Sequence, residues 1–435
     1  MKSRRLPRRL LSVLIYAVGV LIFAEAFSRA VLAWPPVFRR IARRDEVAWR
    51  LEWVRRHAAG LPASLPFDVY HPTRGWAVRS GLRDLPVFLG KTLSTNSDGM
   101  RGSRDYAEAK PAEVRRLVLL GDSFTFGEGV SDSETYAHQL SLFLPRLEVL
   151  NLGVHGYGND QMLLALREGG LRYHPDLVVL GFVHEDLDRN ILGFRDFAKP
   201  RFLLSRGRLL LTNTPVPTPA EVLAQETWRS RLADLFSVIG RACWWSSRVA
   251  RRDAEGITRA ILKEIADDAR RAGAVPVFFY LPVHTEILDR EERPTPGEAF
   301  LLPFCESVEI RCLSLRPYLA RHLDPGGFPV KAPHWAPQVH RAAAEAIRDY
   351  LEGSGLLLRL PIGLGTASGD AAKKRRFPEM SGELSGGPSL VSDPSVRGRE
   401  AFGSPVFADG FFGLGQGHQG MFVPESIYSM ARPIL

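Results

Sequence analysis

The hydrophobic pattern divides the chain into four stretches. In the first, residues 1–44, the span Leu10 to Trp34 is apolar almost throughout, with Glu25 and Arg29 its only charges. As a helix it would extend about 37 Å at ~1.5 Å per residue, enough to cross a bilayer. The second stretch, 45–90, is a juxtamembrane segment, helical in pattern from Glu46 and then interrupted by Pro and Gly. The third, 91–360, alternates short apolar runs with segments whose apolar positions recur every three or four residues. The runs Leu117–Leu120, Glu148–Leu152, Leu177–Phe182, Val275–Leu281 and Ile310–Leu313 predict strands. The periodic segments Glu134–Leu144, Asp160–Glu168, Ala254–Arg271 and Pro337–Leu351 predict helices, with Gly273 and Gly353 as stop signals after the last two. Strands alternating with helices imply an α/β fold around a parallel sheet. Residues 196–252 interrupt the alternation and are expected to form a cap or insertion over the site; Trp228, Trp244 and Trp245 within it are read as core. In the fourth stretch, 361–435, periodicity disappears and Gly, Ser and Pro dominate. Such a tail cannot bury enough apolar surface to offset its ordering entropy, and Gly363 to Leu435 is read as disordered.

Charge sharpens the first stretch. The formal net charge is +9, but residues 1–44 hold ten Lys or Arg and one acid, which leaves 47 basic and 47 acidic residues in the rest. The excess belongs to the N-terminus and not to a basic face of the body, so nucleic acid is not an expected partner. The cluster before Arg9 is expected to stay cytoplasmic, placing the body outside the cytoplasm. Arg39, Arg40, Arg43 and Arg44 oppose that orientation. A cleaved signal peptide also fits, with Leu10–Phe23 as its apolar region and Ala24-Glu25-Ala26 as the cleavage site; a single-pass anchor is the preferred reading. The three cysteines are too few for a disulfide framework. Cys305 and Cys312 are able to pair in an oxidising compartment, Cys243 reads as a small core residue, and none has metal-ligand spacing. His155, His184, His284 and His340 are lone histidines, read as structural or exposed. No cofactor is expected.

The chemistry concentrates at Gly121-Asp122-Ser123-Phe124-Thr125-Phe126-Gly127, directly after the run ending at Leu120. A serine at the carboxyl end of a strand sits where open α/β sheets place their ligands. The simpler reading is a turn or helix-capping serine. Downstream stand Asn151-Leu152-Gly153-Val154-His155-Gly156, then His184-Glu185-Asp186 after the third run, then Pro333-His334-Trp335 ahead of the last helix. This order resembles the SGNH (GDSL-type) hydrolase family, of a membrane-anchored bacterial type, over most of Lys91 to Leu351.

The resemblance implies a three-layer α/β/α sandwich with a parallel, flavodoxin-like sheet. It implies Ser123 as nucleophile, His334 as general base, and the Ser123 and Gly156 N–H groups as two arms of an oxyanion hole. Two positions depart from the family pattern. Glu185 stands where an asparagine donor is usual, and Lys331 stands where an aspartate three residues before the histidine is usual. Asp324, in the same loop, is the candidate to orient His334 instead. The expected function is a serine ester hydrolase acting on O-acyl groups, O-acetyl among them, of a small ester or an acylated cell-envelope glycan. An O-acyltransferase, or a non-catalytic envelope-binding protein that keeps the fold, is the alternative. A nucleotide binder is disfavoured, because no Gly-x-Gly-x-x-Gly opens a helix.

Overall fold

The computed structural model describes residues 8–34, 36–37, 45–88, 90–245, 248–289, 293–323 and 334–357. The reading of the tail as disordered lies outside these residues. The helices used below, in chain order, are α1 (Arg8–Ala33), α2 (Glu46–Ala58), α3 (Ser123–Phe126), α4 (Tyr136–Phe143), α5 (Asn159–Ala165) and α6 (Asp186–Arg189), then α7 (Pro219–Thr227), α8 (Arg231–Trp245), α9 (Arg248–Arg271), α10 (Pro296–Ser307) and α11 (Pro337–Gly353); two shorter ones span His284–Leu288 and Arg316–His322. The central sheet holds β1 (Arg115–Leu120), β2 (Leu147–Asn151), β3 (Leu177–Phe182), β4 (Val275–Tyr280) and β5 (Arg311–Ser314).

The five strands lie in the order β5-β4-β3-β1-β2, every pair parallel, with Leu117 beside Leu177 and Val149, and Val277 beside Val179. This is the flavodoxin-like order, and it reverses direction between β1 and β3. The sheet forms from the apolar runs because both faces need cover. Val118, Leu120, Val178, Leu180 and Phe278 point to one core, packed by α5, α9 and α10. Leu117, Leu119, Leu177, Val179, Val277 and Phe279 point to the other, packed by α4 and α11. The two-residue period thus divides each run between two helical layers, and each buried Leu or Val contributes about 1.5–3 kcal/mol. The result is a three-layer α/β/α sandwich.

Some local expectations shift. The helix expected from Ala254 starts at Arg248, since its outer positions carry Arg and Asp that extend it at no packing cost. Gly273 takes a left-handed φ of +80°, as a stop should, but Gly353 is still helical and Gly355, at +67°, turns the chain instead. The segment expected from Glu134 opens with a single 3-10 turn, Asp132–Glu134, before α4. Cys305 on α10 is joined to Cys312 on β5. Cys243 is exposed and not a core residue. Trp228 is also exposed, because it caps the carboxyl end of α7 where nothing packs over it.

The second stretch folds back onto the sandwich. Asp45 caps α2 by accepting from the Val47 N–H at 2.8 Å. Trp53, Phe67 and Trp76 then enter the same core as β1 and β3. The hairpin of Asp68–His71 with Gly75–Val78 carries the chain past the carboxyl end of the sheet.

Candidate active site

The turn after β1 is built by close approach. A Cβ on Gly121 would lie 1.9 Å from Thr125 Oγ1, and one on Gly153 would lie 2.6 Å from the Phe126 backbone N. No other residue fits either position without moving α3. Asp122 then caps α3 by accepting from the Phe124 N–H at 3.0 Å. Ser123 becomes the first residue of this helix, buried, with its hydroxyl 2.9 Å from His334 Nε2. His334 is held from the side of α11. Its neighbour Trp335 is buried against Phe124 and donates from Nε1 to the Pro282 carbonyl at 2.9 Å. The Phe124 ring also lies 5.4 Å from the His334 ring.

Ser123, His334, Gly156 and Glu185 line one cavity of about 570 Å³. It opens at the carboxyl ends of β1 and β3, the point where the strand order reverses. Gly156 has a φ of +73°, and a Cβ there would strike Arg195 Nη1 at 2.3 Å and Asp196 Oδ2 at 2.4 Å. Glu185 is exposed at the start of α6. The structure therefore brings together four of the five residues expected from sequence. Asp324, and Lys331 with it, lie outside the described residues.

Glu128 and Arg189 are charged groups of this cavity that the sequence did not single out. Glu128 is buried one residue past the Gly121–Gly127 turn, and its carboxylate lies 3.8 Å from His334 Nε2. Arg189, at the end of α6, donates from Nη1 to Asp122 at 2.6 Å, to Asp186 at 3.0 Å and to the Tyr157 carbonyl at 3.2 Å. Burial works against its charge, but Asp122 and Asp186 outweigh burial and raise its pKa above the ordinary arginine value. The cap of α3 is thus tied through Asp122 to the helix after β3. Sequence offered a partial signal, since Asp186 and Arg189 stand three apart on one helix; Asp122, 67 positions away, offered none.

His155 and His340 divide the lone histidines. His340 is buried against Tyr136, accepts from the Tyr136 N–H at 3.2 Å, and is pushed down to about 3 by burial and by Arg101, so it stays neutral. His155 lines the cavity and meets Asp68 at 2.6 Å. Burial lowers its pKa, but Asp68 reverses this and raises it to about 9. The unfolded value is about 6.5, so the pair stabilises the fold fully below that pH and ceases to do so as pH rises through 9. The difference is equivalent to about 3 kcal/mol. The wild-type melting temperature is therefore expected to fall between pH 7 and pH 10 more steeply than that of Asp68→Asn. Parallel melting curves for the two proteins across that range would exclude the pair as the cause.

No protein-family model matches the chain, and no curated protein matches it. Solved structures do match. TesA is 15% identical, with 55% of this chain and 99% of that one covered at a TM-score of 0.33. A GDSL-like lipase from Bacteroides thetaiotaomicron is 13% identical, with 57% and 93% covered and a TM-score of 0.33. An acetyl xylan esterase is 12% identical, with 54% and 99% covered and a TM-score of 0.32.

Proposed function

We propose that the chain is an ester hydrolase of the SGNH (GDSL) type, with Ser123 as nucleophile and His334 as general base. The observation that carries this is the 2.9 Å contact between the Ser123 hydroxyl and His334 Nε2 at the carboxyl end of β1. A serine hydroxyl is unreactive without such a base. In this mechanism His334 Nε2 takes the hydroxyl proton as Ser123 Oγ bonds to the acyl carbon. The carbonyl oxygen becomes an oxyanion facing the Ser123 and Gly156 N–H groups. Collapse breaks the bond to the alkoxide, which receives the proton from Nε2, and water then releases the acyl group by the same steps. Glu128 places a carboxylate oxygen 3.8 Å from the same nitrogen. Asp324 remains the proposed orienting carboxylate. Glu185 occupies the third oxyanion position, where a protonated carboxyl would donate and an ionised one would oppose the oxyanion. The substrate class is a small acyl ester or an O-acylated glycan of the cell envelope, and transfer to a sugar hydroxyl in place of water gives the acyltransferase variant.

The same proposal places α1 as an uncleaved single-pass anchor with the body outside the cytoplasm. The helix Arg9–Ala33 is long and apolar enough to cross a membrane, and its residues Leu10 to Phe23 are exposed. Glu25 accepts from the Ser230 hydroxyl and from the Arg231 and Leu232 N–H groups, capping α8. Cleavage after Ala26 would remove that cap, which favours an anchor over a signal peptide.

A fluorophosphonate probe tests the mechanism. Covalent labelling is expected at Ser123, mapped by peptide mass, and absent from Ser123→Ala. A wild-type protein that takes no label, or takes it elsewhere, would favour the binding-protein reading, to which the acid at position 185 already lends weight.

A further inference from the structure

Helix α8 is built with its polarity reversed. Its charged residues turn inward, where Asp234 pairs with Arg50 of α2 at 2.7 Å and with Arg231 at 2.8 Å, and Arg241 pairs with Asp45 at 2.9 Å. Arg50 and Asp234 are both buried. Its outer stripe, Ala233, Phe236, Ile239, Gly240 and Cys243, is exposed and carries no charge. Phe236 is 68% exposed and Ile239 is 50% exposed. Trp228, just before the helix, is 92% exposed. A water-facing helix has the opposite arrangement.

The geometry of α1 says what covers this stripe. Residues Leu10 to Phe23 of α1 are exposed along their whole length. These 14 residues extend about 21 Å, short of the ~30 Å of a bilayer's hydrocarbon core. From Ala24 onward α1 lies against α8: Glu25 meets Arg231 and Leu232, and Leu32 clusters with Val238. Both helices advance about seven residues between those contacts, so they run side by side in one direction. A bilayer that covers the full anchor must therefore reach the level where α8 begins. The Glu25 carboxylate, with its three α8 donors and its ion pair to Arg29 at 2.9 Å, is compensated for that depth.

We infer that the outer stripe of α8, with Trp228, sits in the bilayer surface beside α1, so that the body is held to the membrane by a second, interfacial contact. The inference rests on the anchor reading of α1. Trp228, exposed just before α8, turns a large amphipathic ring toward the same side. Phe236 and Ile239 follow along the outer face of α8, which runs beside the membrane-crossing α1.

The test uses the full chain reconstituted in phosphatidylcholine vesicles, with Cys243→Ser as background. An environment-sensitive fluorophore is attached in turn to Ile15→Cys, Phe236→Cys, Ile239→Cys and Leu142→Cys. Leu142 is exposed on α4, over the opposite face of the sheet. Replacing the lipid by its brominated-chain form is expected to remove most of the fluorescence at positions 15, 236 and 239 and none at 142. Quenching at 15 with positions 236 and 239 behaving like 142 would overturn the interfacial contact and leave the anchor standing. No quenching at 15 would remove the anchor reading, and the inference with it.

Discussion

Ser123→Ala is expected to lower turnover of a short acyl ester by about 10⁴- to 10⁶-fold, with little change in melting temperature. The hydroxyl removed is small, and its bond to His334 is not part of the sheet or of either core. His334→Ala should match it, and the double variant should be no worse than either, because a nucleophile and its base act as one unit. The assay measures hydrolysis by purified wild type and the three variants. A Ser123→Ala protein that keeps the wild-type rate, with contaminating esterases excluded, would sink the mechanism. A wild-type rate at background would instead point to the binding-protein alternative.

Arg189→Met is expected to be the most damaging single change away from the nucleophile. It leaves Asp122 and Asp186, both fully buried, as carboxylates without their shared cation. Breaking one side of a buried pair costs about 3–5 kcal/mol. The damage should reach the chemistry too, since Asp122 caps the helix that begins with Ser123. Denaturant unfolding of Arg189→Met, and of the same variant carrying Asp122→Asn and Asp186→Asn, separates the two contributions. Neutralising both acids should recover part of the lost stability but not the rate. A loss below about 1 kcal/mol in the single variant would show that the network adds little to the fold.

Where the sequence could be read, the reason is burial on both faces. The runs at Leu117, Leu177 and Val275 are apolar at nearly every position because each residue meets one helical layer or the other. That is a local signal, and it survives without knowledge of partners. The turn from Gly121 to Gly127 was legible for a similar reason, since its first glycine must follow the strand at once. The remainder was hidden because it depends on distant pairs. Arg189 meets Asp122 across 67 residues, His155 meets Asp68 across 87, and α2 reaches the cavity from before the first sheet strand. No periodicity records such meetings. Trp228 misled for the converse reason: a large apolar residue reads as core, and nothing in its neighbours marks it as facing outward.

Under the proposed function, chemistry and selectivity would occupy separable parts of this cavity. On one side, Gly121 and Gly153 press against Thr125 and Phe126 so closely that any substitution there would displace the turn that carries Ser123. On the other, α2 contributes Trp49, Glu52, Trp53, Arg56 and His57, a wall on a different element from the reacting groups. If the proposed hydrolysis holds, diversification aimed at new esters belongs in that helix: a library randomised at positions 49, 52, 56 and 57 would vary the cavity wall while the Gly121–Gly127 turn is inherited intact.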